Sequence, residues 1–136
     1  IEGDASKPEQ WWDNKPYQCI LLDAPCSGLG VIRRHPDIKH LRHESDIQHL
    51  IKIQANILDA CWQLLDENGT MLYTTCSILP EENEQQIEQF LKKYNNVIIE
   101  RIQHPTGIKR KHGIQTLPGV SDMDGFYYCL LRKESQ

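Results

Sequence analysis

No stretch of this sequence comes near the roughly 20 consecutive apolar residues that a membrane-spanning helix requires, and no basic-then-apolar leader opens it. A cytoplasmic protein without membrane contact is the expectation. Positive charge is in deficit: 15 Lys and Arg stand against 19 Asp and Glu, and the net charge of −4 repels nucleic acid on average. Any phosphate contact therefore has to come from a local patch. Cys-x-x-Cys spacing is missing as well. The five cysteines, Cys19, Cys26, Cys61, Cys76 and Cys129, are odd in number and scattered, which argues against a disulfide framework and a tetrahedral zinc site. Reduced thiols and no bound metal are expected. Repeats and low-complexity tracts are absent, and so is an initiator Met, as expected if residues upstream have been removed.

What is present suffices for one domain with a real core: 136 residues, 39% of them apolar and 25% charged. Residues 18–23, "QCILLD", read as a strand buried on both faces ahead of a loop with Pro and Gly. Ser45 and Gln48 have capping-box spacing, and Leu50, Ile51, Ile57, Leu58, Cys61, Leu64 and Leu65 recur at helical intervals until Asn68-Gly69. Residues 70–75 form the next strand. Pro80 opens a second helix whose acidic start (Glu81, Glu82, Glu84) and basic end (Lys92, Lys93) suit the helix dipole, with Ile87, Phe90, Leu91 and Tyr94 facing the core. Residues 97–102 are a third strand. Residues 103–124 carry Pro and Gly without an apolar period, as a functional loop or a partly disordered one would. Residues 126–132 return as an antiparallel strand.

The order β-α-β-α-β-loop-β predicts an α/β domain, its sheet mostly parallel with an antiparallel last strand. Ligands of such sheets bind beyond the carboxyl ends of the strands, which places Asp23, Cys26, Cys76 and Ser77 along one rim. The outer edge of the first strand is left unpaired, a liability that a complete protein covers.

Cys19, Cys61 and Cys129 occupy apolar positions of predicted strands or a helix and read as core packing. Cys26 and Cys76 instead follow strand ends, among small and polar neighbours. Position leaves two roles open for them, a buried cap or a nucleophile whose thiolate is favoured by a nearby helix amino end or by Arg33 and Arg34. Asp23, ending an apolar strand, either caps the following loop amides or reaches into the crevice. The segment "GLGVIR" lacks the third glycine and the immediate helix of a dinucleotide fingerprint. A thiol phosphatase loop would need its arginine six residues after Cys26, where Ile32 stands. Arg33, Arg34, His35, Lys39, His40, Arg42 and His43 face one acid, Asp37, and residues 109–112, "KRKH", form a second basic run; either reads equally as a solvated loop.

The segments "LLDAPCSGLGVIRRHPDIK" and "TTCSILPEENEQQIEQFL", followed by "LPG" and "DGFYYCLLRK", resemble the carboxy-terminal half of the bacterial Sun/Fmu-type ribosomal RNA cytosine-5 methyltransferases. The likeness runs from Gly3 almost to the end of the chain. It implies S-adenosylmethionine as methyl donor and a cytosine in small-subunit (16S) ribosomal RNA as acceptor, with Cys76 adding to C6 as nucleophile and Cys26 assisting product release. It further implies that Asp23 contacts the cytosine edge and the donor's methyl end, that Asp4 contacts the donor's adenine, and that Arg33, Arg34, Lys39 and Arg42 meet RNA phosphates. Residues 1–136 then form the carboxy-terminal part of a Rossmann-like catalytic domain, with the glycine-rich donor loop and the amino-terminal RNA-binding domain outside the sequence. Such a piece is expected to be nearly inactive alone and to self-associate through its open strand edge. The same chemistry on tRNA or another rRNA site, and a non-catalytic nucleic-acid-binding module, are the alternatives.

Overall fold

The structure, a computed structural model, describes residues 1–135. Its strands are β1 (Tyr17–Asp23), β2 (Leu65–Thr75), β3 (Val97–Glu100), β4 (Ile108–Lys109), β5 (Ile114–Gln115) and β6 (Tyr127–Lys133). The helices are α1 (Ile38–Leu41), α2 (Glu44–Leu64) and α3 (Glu84–Lys93). β1 and β2 pair in parallel, and β6 lies antiparallel against β2 on one side and against β3 and β5 on the other. β1, β2 and β3 therefore run the same way with β6 reversed between β2 and β3, the expected direction set. Among the described residues no helix is long and apolar enough to cross a membrane.

α2 packs on β1, β2 and α3, and these elements enclose one core. Trp62 and Phe90 meet edge to face there with centroids 5.2 Å apart, beside the fully buried Met71, Tyr73, Ile87, Tyr127 and Leu131. The core face expected of α3 is the one observed, and Cys61 and Cys129 are buried as expected.

Local chemistry moves several boundaries. α2 starts one residue before Ser45, because the Asp46 carboxylate, rather than Gln48, reaches back to accept the His43 N–H at 2.9 Å. β2 begins directly after α2, and Asn68 (φ 61°) with Gly69 shapes a bulge where the register passes from Tyr17↔Leu65 to Cys19↔Thr70. α3 starts at Glu84 rather than Pro80; residues 80–83 turn instead, carrying Glu82 and Asn83 inward. Residues 103–124 are ordered into the β4–β5 hairpin and a short 3-10 turn, Val120–Asp122. Two-residue strands leave no period to read.

β1 is not buried on both faces. It is an edge strand on which only Leu22 is buried, with Leu21 69% exposed and Cys19 exposed rather than packed in the core. Nothing among the described residues covers its outer edge or its second face.

Candidate active site

Parallel pairing of β1 with β2 sets Asp23 opposite Thr74, so the loops that follow both strands leave from the same rim. The Ala24 N–H donates to the Thr74 carbonyl at 2.9 Å, extending the ladder, and Gly28 (φ 76°) then turns the chain back. Gly30 N–H donates to the Cys76 carbonyl at 2.9 Å, and Gly125 N–H to the Gly30 carbonyl at 2.7 Å. Three backbones meet here so closely that a Cβ on Gly30 would lie 1.8 Å from the Gly125 oxygen.

This closure brings Cys26 Sγ to 3.3 Å from Cys76 Sγ, both thiols half-buried. The serine after each cysteine is fully buried, and the two hydroxyls are 3.3 Å apart. Between the loops sits the Glu82 carboxylate, itself fully buried. It accepts the Ser27 N–H (2.8 Å), the Ser27 hydroxyl (2.6 Å), the Ser77 hydroxyl and the Gln54 amide (3.1 Å). Gln54, fully buried on α2, also donates to the Pro25 carbonyl at 2.9 Å. Asn83 donates to the Ser77 carbonyl and to Gln115 Oε1, both at 2.9 Å, tying β5 to the Cys76 loop. Every donor aimed at the buried carboxylate is matched, which offsets much of its desolvation cost.

Electrostatics separate the two thiols. The Cys26 S–H donates to Cys76, which favours the Cys76 thiolate and brings its pKa down to about 7, while burial and the nearby Asp23 and Glu82 charges oppose that shift. Cys26, giving up its proton to no one, is pushed up, first by that same bond and then by burial. Alkylation of Cys76 by iodoacetamide is expected to rise with pH with a midpoint near 7. In Cys26→Ala the midpoint moves up toward the ordinary thiol value of about 8.5. Mass spectrometry of the Cys76 peptide reads both, and an unmoved midpoint refutes the hydrogen bond as the cause.

Asp23 stands exposed at the rim. Asp4 is exposed in the segment before β1; its carboxylate takes the Ser6 N–H and hydroxyl, which lower its pKa, and Lys7 lies 3.8 Å away. Of the basic patch, Arg33 bonds Asp122 (2.6 Å) and the Met123 carbonyl, Arg34 pairs with Asp124 (2.5 Å), and Arg42 donates to the Ser27 carbonyl (2.9 Å). Lys39 is exposed on α1. The structure thus gathers Asp23, Cys26 and Cys76, while Asp4 keeps partners within its own segment.

Glu82, Gln54, Asn83 and Gln115 were not among the expected site residues. The available signal was the repeated Cys-Ser pair: two serines beside two thiols call for a shared acceptor. Among the described residues no three His, Cys, Asp or Glu side chains are placed to hold a metal ion.

A family model described as "16S rRNA methyltransferase RsmB/F" matches residues 1–132. The chain is 50% identical over 133 residues to ribosomal RNA small subunit methyltransferase B of Enterobacter sp. (strain 638), covering 98% of this chain and 30% of that protein. Against the protein of the same name from Klebsiella pneumoniae subsp. pneumoniae it is 52% identical over 132 residues, covering 97% of this chain and again 30% of the relative. The chain thus spans about 30% of the length of these relatives. The crystal structure of PH0851 superposes with a TM-score of 0.90 at 30% identity, over 98% of this chain and 30% of that one. NSun6 from Pyrococcus horikoshii, solved with SFG, superposes with a TM-score of 0.82 at 27% identity, over all of this chain and 34% of that one.

Proposed function

The chain belongs to the 16S rRNA methyltransferase RsmB/F family, and we propose from that premise that it carries the thiol centre of an S-adenosylmethionine-dependent enzyme methylating C5 of a cytosine in 16S ribosomal RNA. The observation that carries this reading is the pair of thiols, 3.3 Å apart at the ends of adjacent parallel strands, with Cys76 the more acidic. Cytosine C5 is a poor nucleophile. The Cys76 thiolate adds to C6, its electron pair forming the S–C bond while the ring π pair shifts to C5 and makes that carbon nucleophilic. When bound, S-adenosylmethionine supplies an electrophilic methyl group for C5. Loss of the C5 proton to a base then returns an electron pair to the ring, re-forms C5=C6 and expels Cys76 as thiolate.

Cys26 belongs to the last step. Its S–H, which stabilises free Cys76 thiolate, is in place to stabilise the same sulfur as it leaves C6. Asp23, exposed beside the thiols at the rim where ligands of such sheets bind, fits the role of contacting the cytosine edge and the methyl end of the donor. Asp4, also exposed, is assigned to the donor's adenine. The substrate places the enzyme in the cytoplasm, and the target base has to be unstacked to reach the crevice.

The test is Cys26→Ala, in the longest form of the protein its gene encodes, incubated with S-adenosylmethionine and 16S rRNA. Slow release is expected to leave a protein–RNA adduct that survives a denaturing gel, at least roughly tenfold above wild type, the scale of an interaction of about 1.4 kcal/mol lost from one step. A variant that forms no adduct and methylates at the wild-type rate overturns the assignment of Cys26.

A further inference from the structure

The Lys109–His112 run has no part in the thiol centre, and its placement is unlike that of a solvated loop. The β4–β5 hairpin turns through residues 110–113, closed by the Arg110 N–H donating to the Gly113 carbonyl at 2.8 Å. Its tip is pinned: the His112 N–H donates to Glu84 at 2.6 Å, and the Cys129 thiol donates to the His112 carbonyl at 2.9 Å. A Cβ on Gly113 would sit 2.3 Å from the Tyr128 carbonyl, so the hairpin lies directly on β6. The cations are thus presented by a fixed backbone.

Between this hairpin and the chain leaving β3 lies an open groove of about 410 Å³, lined by Arg101, His104, Lys109, Arg110, Lys111 and His112. Its acids are already matched. Glu100 pairs with Arg132 at 2.6 Å, and Glu88, beside the tip, pairs with Lys111 at 3.0 Å and lies 3.9 Å from His112. Arg101, Lys109 and Arg110 are exposed and, among the described residues, have no acidic partner. Around Arg33 the situation is reversed, since Arg33, Arg34 and Arg42 are held by Asp122, Asp124 and the Ser27 carbonyl. In a chain of net charge −4, three uncompensated cations converging on one fixed groove form a local positive field. Arg110 also lines a second cavity, of about 190 Å³, with Ile78, Pro80, Asn83 and Glu84. Ile78 is two residues past Cys76 in the sequence.

We propose that the groove bounded by Arg101, Lys109 and Arg110 is a phosphate track for the single-stranded RNA flanking the target cytosine. The proposal rests on the RNA-methylating reading above. Cations carried by a rigid hairpin and by the chain leaving β3 suit phosphodiester oxygens, which position a strand without reading its sequence. The open groove accommodates a backbone passing through rather than a closed small-molecule site.

The test uses Arg101→Ala, Lys109→Ala and Arg110→Ala, singly and together, in the longest form the gene encodes; Lys111 is left alone because it pairs with Glu88. The probe is a labelled single-stranded fragment of 16S rRNA, its dissociation constant measured across a salt series. Each phosphate contact on a single strand contributes about −0.7 to the slope of log affinity against log salt, so the triple variant is expected to flatten the slope by about 2. KM for rRNA is expected to rise roughly tenfold or more with kcat nearly unchanged, as for lost positioning contacts. Since these side chains are exposed and unpaired, the melting temperature should hold. An unchanged slope in a folded triple variant overturns the proposal, whatever becomes of catalysis. If Cys76→Ala retains methylation, the functional reading fails separately while the salt slope still reports on the groove.

Discussion

Cys76→Ala is expected to lose methylation of 16S rRNA by on the order of 10⁴- to 10⁶-fold, the range seen when the nucleophile of a covalent mechanism is removed. No neighbouring group can replace it. Cys26, its Sγ 3.3 Å from that of Cys76 in the wild type, loses that bond in the variant but keeps the burial that disfavours its thiolate, and Ser77 turns its hydroxyl away toward Glu82. Cys76→Ser should fare little better, because a hydroxyl in the same place is far from ionised at neutral pH. RNA affinity should be almost unaltered, since the thiol is a minor part of the binding surface. Transfer of labelled methyl from S-adenosylmethionine to 16S rRNA measures the effect, with Cys26→Ala alongside: one variant never forms the adduct, the other forms it and releases it slowly. Full methylation by Cys76→Ala would remove the covalent mechanism altogether.

Glu82→Leu is expected to cost about 3–5 kcal/mol of stability, the scale on which removing one partner from a buried charged network leaves its other members unmatched. Four donors converge on this carboxylate: the Ser27 amide, two serine hydroxyls and Gln54. The serine hydroxyls, 3.3 Å apart, can recover part of the loss by bonding each other; the Ser27 N–H and Gln54 cannot. Glu82→Gln keeps one acceptor oxygen and should cost about 1–2 kcal/mol, since the new amide hydrogens face donors until the serines reorient. Urea unfolding followed by circular dichroism separates the two. Equal midpoints for wild type and Glu82→Leu would mean that the carboxylate contributes nothing to holding the loops.

The rim was legible because strand ends are. Asp23, Cys26 and Cys76 each follow an apolar run that pairs as expected, and parallel pairing alone sets their loops side by side. Glu82 was not legible. In "LPEEN" the acids look like the start of a helix, and only the observed turn over residues 80–83 shows that α3 begins later and that one acid is drawn inside. The strand β1 and its open edge lie where expected, but Cys19 and the strand's second face are not buried: an apolar strand announces that something packs on it, but not on how many faces. The ordered course of residues 103–124 escaped because its order comes from contacts outside the segment, with Tyr128, Glu84, Arg33 and Arg34.

The position of β6 has a consequence for the moment at which the protein becomes reactive. Thr74 donates its hydroxyl to the Tyr127 carbonyl across 53 positions of chain, and Gly125 closes on Gly30 just before β6 begins. A ribosome adding about 5–20 residues per second needs roughly 3–10 seconds to cover that interval. During it the nascent chain already contains both cysteines, but β2 has one bare edge and the Gly28–Gly30 turn has nothing to rest on. Both thiols are translated before β6 and aligned only once it arrives, so for that interval the nascent chain lacks the acidic sulfur that the folded molecule carries.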